Sequence, residues 1–354
     1  MSENLRRREL LRLGALGGGA LALGGRSGAA AKRPNILFLL ADDQRFSTIR
    51  ALNCPEIETP NLDSLAHRGV AFTHAYIMCG TQGAICAPSR AMLQTGRTLF
   101  RVPRSMVPNP YSSALADDAF TTFPETLRKA GYETFGIGKW HNLPPSFARS
   151  FSGGENIFFG GMSNHLQVPV RDFDPSGQYK TKPRIGEKFS SELFSDSAVK
   201  FLSRRTSGKP FCLYVAYTAP HDPRMAPQAF RARYSPSRIA LPKNFLPMHP
   251  FDNGNLKGRD EALAPWPRTP EIVREHIAAY YAMITHLDEQ IGHVIKALES
   301  SGEADNTIIV FSADNGLALG SHGLLGKQNV FEHSMRVPLM ISGPGIPRGR
   351  SITA

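Results

Sequence analysis

The sequence predicts an α/β protein built on a large, mostly parallel or mixed sheet that is sandwiched between helices. Short, unbroken apolar runs alternate along the chain with segments of helical periodicity, and strands buried on both faces of a sheet have this composition. The chain of 354 residues is long enough to bury one large core. No internal repeat or low-complexity tract follows the N-terminal leader, so we expect one main domain over residues 32–354.

The first half of the chain contains three predicted strands and two predicted helices. The apolar run N-I-L-F-L-L-A at residues 35–41 predicts the first strand. Thr59-Pro60 predicts a helix start, because proline is well tolerated in a first turn. The remaining elements are a strand over residues 70–78, a helix over 124–130 that ends at Gly131, and a strand over 132–138.

The second half contains three further strands, a long helix and an insertion. The predicted elements are strands over residues 211–218, 306–313 and 337–342, and an amphipathic helix over 271–300 that is closed by Gly302. Two stretches, residues 101–118 and 222–268, do not fit this alternation. We interpret both as long surface insertions and assign them no secondary structure.

The N-terminus has the features of an export leader. The hexapeptide Arg7-Arg8-Glu9-Leu10-Leu11-Arg12 matches the twin-arginine (Tat) pattern, an apolar stretch follows over residues 13–23, and Ala29-Ala30-Ala31 offers a cleavage site. The apolar stretch is far shorter than the ~20 residues of a spanning helix. The sequence therefore predicts a Tat signal peptide over residues 1–31, a partner in the Tat export machinery, and a soluble periplasmic or extracellular protein without a membrane span.

The net charge favours an anionic ligand. The formal charge is +11, and the leader, with five arginines and two glutamates, leaves about +8 for the rest of the chain. Such a surplus steers anions toward a protein, whereas the absence of a Lys/Arg run argues against nucleic acid. The four cysteines, Cys54, Cys79, Cys86 and Cys212, leave open whether Cys54 and Cys79 pair or remain buried thiols.

Polar side chains follow four of the predicted strands. Ligands of open parallel sheets bind outside the carboxyl ends of the strands, so these groups are candidates for one site. Asp42, Asp43, Asp314 and Asn315 supply only oxygen ligands, which suit Ca²⁺ or Mg²⁺ better than Zn²⁺. The groups at the four strand ends are Asp42-Asp43, Lys139-Trp140-His141, His221 and Asp314-Asn315.

The strongest motif of the sequence is twelve residues long. Residues 86–97 read C-A-P-S-R-A-M-L-Q-T-G-R, and C-x-P-S-R followed by T-G-R resembles the signature of the formylglycine-dependent sulfatases of the alkaline phosphatase superfamily. G-K-W-H at 138–141 resembles the family's G-K-x-H element, and residues 320–338 resemble the stretch around its late lysine. The resemblance extends from about Pro34 to Gly345.

The resemblance implies a nucleophile, a metal site and a set of catalytic residues. A formylglycine-generating maturase would oxidise Cys86 to an aldehyde, whose hydrate attacks the sulfur of a sulfate ester. Asp42, Asp43, Asp314 and Asn315 would bind one Ca²⁺, or Mg²⁺, together with the formylglycine at Cys86. The remaining roles are Arg90 and Lys139 for the hydrate and the sulfate charge, His141 as the base, and His221 and Lys327 for sulfate binding and protonation of the leaving group.

Several alternatives remain open. A phosphonate monoester or phosphodiester hydrolase shares this nucleophile and metal site, and a sulfatase-like protein that binds anions without turnover is a second rival. A two-zinc phosphatase is disfavoured because Asp314-Asn315 stands where Asp-His is expected. Sulfatases usually carry a small C-terminal unit after their main domain, which we expect this sequence to lack. A sulfated carbohydrate is the favoured substrate, but a small sulfate ester, endo or exo action, and the oligomeric state stay undecided.

Overall fold

The computed structural model describes residues 32–80, 85–107, 119–206 and 208–353. The predicted leader, and most of the first predicted insertion, lie outside these residues. In the described part of the chain, no helix is both long enough and apolar enough to cross a bilayer. Cys54, Cys79, Cys86 and Cys212 are all buried and free, so the predicted alternative of buried thiols is confirmed over a disulfide.

An eight-stranded mixed sheet forms the centre of the fold. The strand order is β10-β2-β9-β8-β1-β7-β3-β4, and only β9 runs against its neighbours. A two-stranded sheet of β5 and β6 lies beside it. The strands are β1 (Asn35–Ala41), β2 (Gly69–Tyr76), β3 (Glu133–Lys139), β4 (Gly153–Phe158), β5 (Pro169–Val170), β6 (Arg184–Ile185), β7 (Phe211–Ala216), β8 (Thr307–Ala313), β9 (Arg336–Ser342) and β10 (Arg350–Ile352).

Helices cover both faces of this sheet. Since side chains alternate along a strand, β1 sends Leu37 and Leu39 to one core cluster and Phe38 and Leu40 to another. The first cluster is completed by α1, α5 and α7, and the second by α2 and α4. The helices are α1 (Pro60–Arg68), α2 (Cys86–Thr95), α3 (Phe123–Lys129), α4 (Pro144–Ser150), α5 (Ser190–Ser203), α6 (Gln228–Arg231), α7 (Pro270–Ser300) and α8 (Glu332–Met335).

The long helix α7 supports the second insertion. Thr269 caps it by accepting a hydrogen bond from Ile272 N, with Pro270 in the first turn. The N-terminal half of α7 packs against Phe230 and Tyr234 of the insertion in a third core cluster. Apolar side chains therefore anchor this stretch, which was assigned no secondary structure from the sequence and which contains α6 and two 3-10 turns.

The predicted fold class and all of the predicted strands and helices are confirmed, with boundaries within two residues. The elements that were not predicted are helices α2, α4, α5, α6 and α8 and strands β4, β5, β6 and β10. Trp140, which stands between Lys139 and His141 after β3, is buried and lies edge-on to Phe147 and Phe151 in the second core cluster.

Candidate active site

Four strand ends bring the predicted site residues to one edge of the sheet. β8, β1, β7 and β3 are neighbours and run parallel, so their carboxyl ends lie together. Two further segments reach this edge, namely the start of α2 and the loop before α8. The contributions are Asp42 and Asp43 after β1, Lys139 and His141 at the end of β3, His221 after β7, Asp314 and Asn315 after β8, Cys86 and Arg90 from α2, and Lys327 from the loop.

Cys86 is the first residue of α2, so its Sγ atom lies near the positive end of the helix dipole. The residue is 2% exposed. Four polar atoms surround Sγ: Lys327 Nζ at 3.0 Å, Asn315 Nδ2 at 3.4 Å, Asp42 Oδ1 at 3.5 Å and Asp43 Oδ1 at 3.7 Å. Burial raises the pKa of the Cys86 thiol well above its usual range, although nearby lysines oppose the effect. The thiol itself is therefore a poor nucleophile at neutral pH.

Three cations hold three carboxylates around this sulfur. All six side chains belong to residues that are at most 2% exposed, and burial of such charges is tolerated only where they are paired. The pairs are Lys327 with Asp43, at 2.7 and 2.6 Å from Nζ to the two carboxylate oxygens, Lys139 with Asp42, and Arg90 with Asp314, at 2.8 Å from Nε to Oδ2.

The carboxylates of the cluster differ sharply in pKa. Burial raises the pKa of Asp43 to about 8, although Lys327 opposes the shift. Burial acts on Asp314 in the same direction, but Arg90 and the two lysines outweigh it and hold its pKa at about 2. Asp314 is therefore a permanent anion, whereas Asp43 depends on an adjacent cation to remain ionised.

The donor set fits a hard divalent cation. Asp42, Asp43 and Cys86 offer ligand atoms that lie, with one from His221, within 4.8 Å of one another. Asn315 Oδ1 is buried and has no hydrogen-bond partner among the described residues, so its oxygen is free to coordinate. Carboxylate and amide oxygens are preferred by Ca²⁺ and Mg²⁺. His221 was not among the predicted ligands. The predicted ligand Asp314 accepts hydrogen bonds from Asp43 N at 3.0 Å and from Arg90.

The formal charge of the cluster is balanced by its own side chains. With all groups ionised, three carboxylates and three basic side chains sum to zero. A divalent ion would bring the cluster to +2, and a singly charged ester anion would then reduce this to +1. A cation bound here would therefore make the cluster positive and favour an anion beside it.

The two predicted histidines make different contacts at the site. His221 Nε2 lies 3.5 Å from Asp43 Oδ2, and its Nδ1 lies 2.8 Å from the backbone oxygen of Asp222. His141 is held against Gly161, where an added Cβ would lie 2.6 Å from His141 Nε2. Burial, together with the positive charge of neighbouring lysines, lowers the pKa of both histidines well below the usual range.

Some contacts of the site were not predicted from the sequence. The Gly161 carbonyl accepts from Lys139 Nζ at 2.6 Å. Asp222 lies behind His221, and Arg259 binds Asp222. The only sequence signal was local, since Asp222 directly follows a motif histidine; Gly161 and Arg259 stand in stretches without a recognisable pattern.

Fold and site together place a buried cluster of acidic, basic and cysteine side chains at the carboxyl ends of a mixed α/β sheet. The family profile described as Sulfatase matches residues 34–353, so the chain belongs to the sulfatase family. It is 28% identical to an N-acetylglucosamine-6-O-sulfatase of Bacteroides thetaiotaomicron, over 88% of this chain and 63% of that protein. It is 30% identical to a choline-sulfatase of Rhizobium meliloti, over 91% of this chain and 65% of that protein.

Solved structures share the fold at lower identity. One, described as a complex with its substrate D-glucosamine-2-N,6-O-disulfate, superposes with a TM-score of 0.75 at 24% identity, over 91% of this chain and 74% of that one. A phosphonate monoester hydrolase of Agrobacterium radiobacter gives a TM-score of 0.70 at 23% identity, over 91% and 70%. The chain spans 63% to 66% of the length of the first three curated relatives.

Proposed function

We propose that this protein hydrolyses a sulfate ester, with Cys86 converted to formylglycine and one divalent cation, Ca²⁺ or Mg²⁺, bound beside it. The observation that carries the proposal is the surrounding of Cys86 Sγ. A buried thiol with Lys327 at 3.0 Å and Asn315 at 3.4 Å, and with two aspartates within 3.7 Å, lies where a nucleophile, a cation and an anion can meet. Membership of the sulfatase family supports the reaction class.

The modification supplies what the thiol lacks. A hydrated aldehyde at residue 86 would offer one hydroxyl to attack sulfur and displace the alcohol, and a second hydroxyl whose deprotonation expels sulfate and regenerates the aldehyde. The cation would screen the sulfuryl group and lower the pKa of a bound hydroxyl. The proposed ligands are Asp42, Asp43, Asp314 and Asn315, with the formylglycine.

The chain's own side chains position charge and protons. Arg90 donates from Nη1 to the Lys139 carbonyl at 2.6 Å, so the guanidinium and the lysine are held as one unit next to residue 86. His141, with a lowered pKa, is neutral and able to take the second hydroxyl's proton. His221 and Lys327 bind the sulfuryl oxygens, and Lys327, which remains protonated beside Asp43, supplies the proton for the leaving group. Each such donor is commonly worth about a hundredfold in rate.

A sulfated carbohydrate is the proposed substrate class. The name of the relative from Bacteroides thetaiotaomicron specifies an N-acetylglucosamine 6-O-sulfate, and a solved neighbour holds a disulfated glucosamine. The choline-sulfatase relative names a small ester instead, so both belong in a substrate panel. The shared fold with a phosphonate monoester hydrolase makes that ester the necessary comparison.

Maturation and export belong to the same proposal. A formylglycine-generating maturase would recognise the segment around Cys86, and the twin-arginine motif at Arg7-Arg8 would direct the chain through the Tat machinery to the periplasm or the exterior.

The test begins with the nucleophile. The protein is expressed with a formylglycine-generating enzyme, and the tryptic peptide of residues 69–90 is sequenced by mass spectrometry. Cys79 lies in the same peptide and controls for nonspecific oxidation. We expect an aldehyde at Cys86 alone. An unmodified Cys86, with a control sulfatase converted in the same cells, contradicts the mechanism.

Turnover and metal binding are measured on the same preparation. We expect hydrolysis of a sulfate ester to exceed that of a phosphonate monoester, and Ca²⁺ to raise the melting temperature by mass action in the wild type but not in Asp42→Asn. Preference for the phosphonate would establish the rival hydrolase. Sulfate binding without hydrolysis would establish an anion-binding protein.

A further inference from the structure

Three consecutive residues of the second insertion contact the segments that carry His221 and Lys327. We call Arg259, Asp260 and Glu261 the 259–261 clamp. His221 follows β7 and Lys327 lies in the loop after β8, and β1 separates these two strands in the sheet. The sheet alone therefore does not make these two segments neighbours, and the insertion spans the gap.

The first arm of the clamp lies behind His221. Arg259 holds the carboxylate of Asp222 with two nitrogens, Nη1 at 2.5 Å from Oδ2 and Nη2 at 3.2 Å from Oδ1. Asp222 is 6% exposed. Its Oδ1 lies 3.4 Å from His221 Nδ1, and its backbone oxygen accepts from the same nitrogen at 2.8 Å. These contacts fix the ring so that Nε2 points at the reaction centre.

The second arm holds the turn that carries Lys327. Glu261 accepts the backbone N–H groups of Leu325 at 2.9 Å and Gly326 at 2.8 Å. Arg268 Nη2, at 2.8 Å from Glu261 Oε2, fixes the carboxylate from the other side. Both Glu261 and Arg268 are buried. Charge-assisted hydrogen bonds of this kind are short and directional, so they set the position of the turn.

Asp260 joins the two arms. Its Oδ1 accepts from Arg259 Nη2, and its Oδ2 accepts from Gln328 Nε2 at 2.8 Å. Gln328 in turn accepts from Lys327 N through Oε1 at 3.2 Å. A continuous series of hydrogen bonds therefore runs from behind His221, through the clamp, to the backbone of Lys327.

We propose that the 259–261 clamp positions His221 and Lys327 relative to each other, acting on His221 through Asp222 and on Lys327 through its backbone. The inference rests on the proposed function for its kinetic consequence but not for its geometry. The clamp members are positioning residues, because they act through the two catalytic side chains. A misplacement of ~1 Å in such groups commonly costs about a hundredfold in rate, so removal of either arm lowers kcat more than it raises KM.

A double-mutant cycle separates positioning from general destabilisation. Asp222→Asn is measured alone and in a His221→Ala background. We expect a tenfold to about hundredfold loss of kcat in the first case, and less than about twofold in the second, because the carboxylate acts only through the ring. Glu261→Gln is paired with Lys327→Ala in the same way. Equal losses in both backgrounds would overturn the proposal.

Two further variants control the experiment. Arg233 lies elsewhere in the same insertion and forms an exposed ion pair with Glu58. Arg233→Gln removes this pair, and we expect kcat within about twofold of wild type. Arg259→Lys keeps the charge but not the two-pronged contact with Asp222, so it recovers only part of the activity lost in Arg259→Ala.

Crystal structures of Asp222→Asn and Glu261→Gln provide a readout that needs no turnover. We expect the His221 ring, or the Lys327 Nζ atom, to be displaced by about 1 Å or more. Unchanged positions in both variants overturn the clamp even if the wild type hydrolyses its ester. Displaced positions with an inactive wild type support the clamp and contradict the proposed function.

Discussion

Two glycines shape the site around Lys139. Gly138, at φ +83°, sits in an irregularity of β3, and an added Cβ would lie 2.0 Å from the Ala216 carbonyl oxygen of β7. Gly161 packs against the His141 ring and accepts from Lys139 Nζ. Both glycines therefore let the backbone approach closely at the points where a cation and a base are fixed.

A methyl group at Gly161 tests this arrangement. We predict that Gly161→Ala displaces the His141 ring, since the added Cβ would lie 2.6 Å from Nε2 and cannot be accommodated without movement. The expected result is a fall in kcat of about a hundredfold with little change in melting temperature, measured by steady-state kinetics and calorimetry on the same preparation.

Gly208→Ala is the matched control, because Gly208 is exposed and an added Cβ meets no atom within 4 Å. We expect wild-type kinetics from it. Wild-type kcat in Gly161→Ala would show that His141 does not depend on this contact.

The motif residues could be predicted from sequence because each stands at a strand end or in a short fixed pattern. Cys86 and Arg90 lie within one helical turn of each other, and Asp42 follows an apolar run directly. Gly161 and Glu261 could not, because their partners are distant in sequence; Glu261 binds Leu325 N across 64 positions. Only the folded backbone brings such pairs together.

At the scale of elements, α7 caps the start of another helix. The carboxylate of Asp288 accepts from Asn61 N at 3.1 Å, Leu62 N at 2.8 Å and Asn61 Nδ2 at 2.9 Å, all in the first turn of α1. Thr59, the residue before α1, donates its hydroxyl to Asp63 Oδ1 at 3.0 Å and makes no capping bond with its side chain. A helix N-terminus buried in the core needs such partners for its free N–H groups.

We predict that Asp288→Ala lowers the free energy of unfolding by about 1–3 kcal/mol, since two buried N–H groups lose their acceptor. Urea unfolding monitored by circular dichroism measures the difference. Glu289→Ala, which removes an exposed acid from the next position of α7, should change the value by less than about 0.5 kcal/mol. Equal effects from the two variants would contradict a capping role.

The elements that sequence predicted are those with one clear period or a continuous apolar run, such as β1, β7 and α7. Helix α2 was missed because its sequence is fixed by the site: seven of its ten residues are buried, including Arg90 and Gln94, so no polar face marks it as amphipathic. The second insertion could be assigned no secondary structure because its apolar anchors, Phe230 and Tyr234, follow no repeat among many prolines and basic residues.

At the scale of the whole molecule, burial of neutral histidines links stability to pH. His165, His286 and His333 are at most 4% exposed. Burial lowers the pKa of His165 and His286 to about 4 and that of His333 to about 3, from an ordinary value of 6.5. The unfolded chain therefore binds more protons than the folded one between these values, so stability is complete above pH 6.5 and is lost as the pH falls toward 4.

His286 offers the sharpest test of this linkage. Its ring is fully buried between Phe189 and Phe230, with Nε2 at 3.2 Å from Glu192 Oε1. A shift from 6.5 to about 4 corresponds to roughly 3 kcal/mol of stability lost on acidification. We predict that His286→Gln has a lower free energy of unfolding than wild type at pH 7, because ring packing is lost. On acidification from pH 7 to pH 4, however, its free energy of unfolding should fall by up to about 3 kcal/mol less than that of wild type.

The informative quantity is the change of unfolding free energy with pH. The unfolding free energy at a single pH is less informative, because any substitution in this core lowers it. Urea midpoints at a series of pH values give the slope for wild type, for His286→Gln and for His67→Gln, in which an exposed imidazole of α1 is removed. His67→Gln should keep the wild-type slope. If His286→Gln also keeps it, the acid sensitivity of the fold arises from other groups, and His165 and His333 become the next variants to measure.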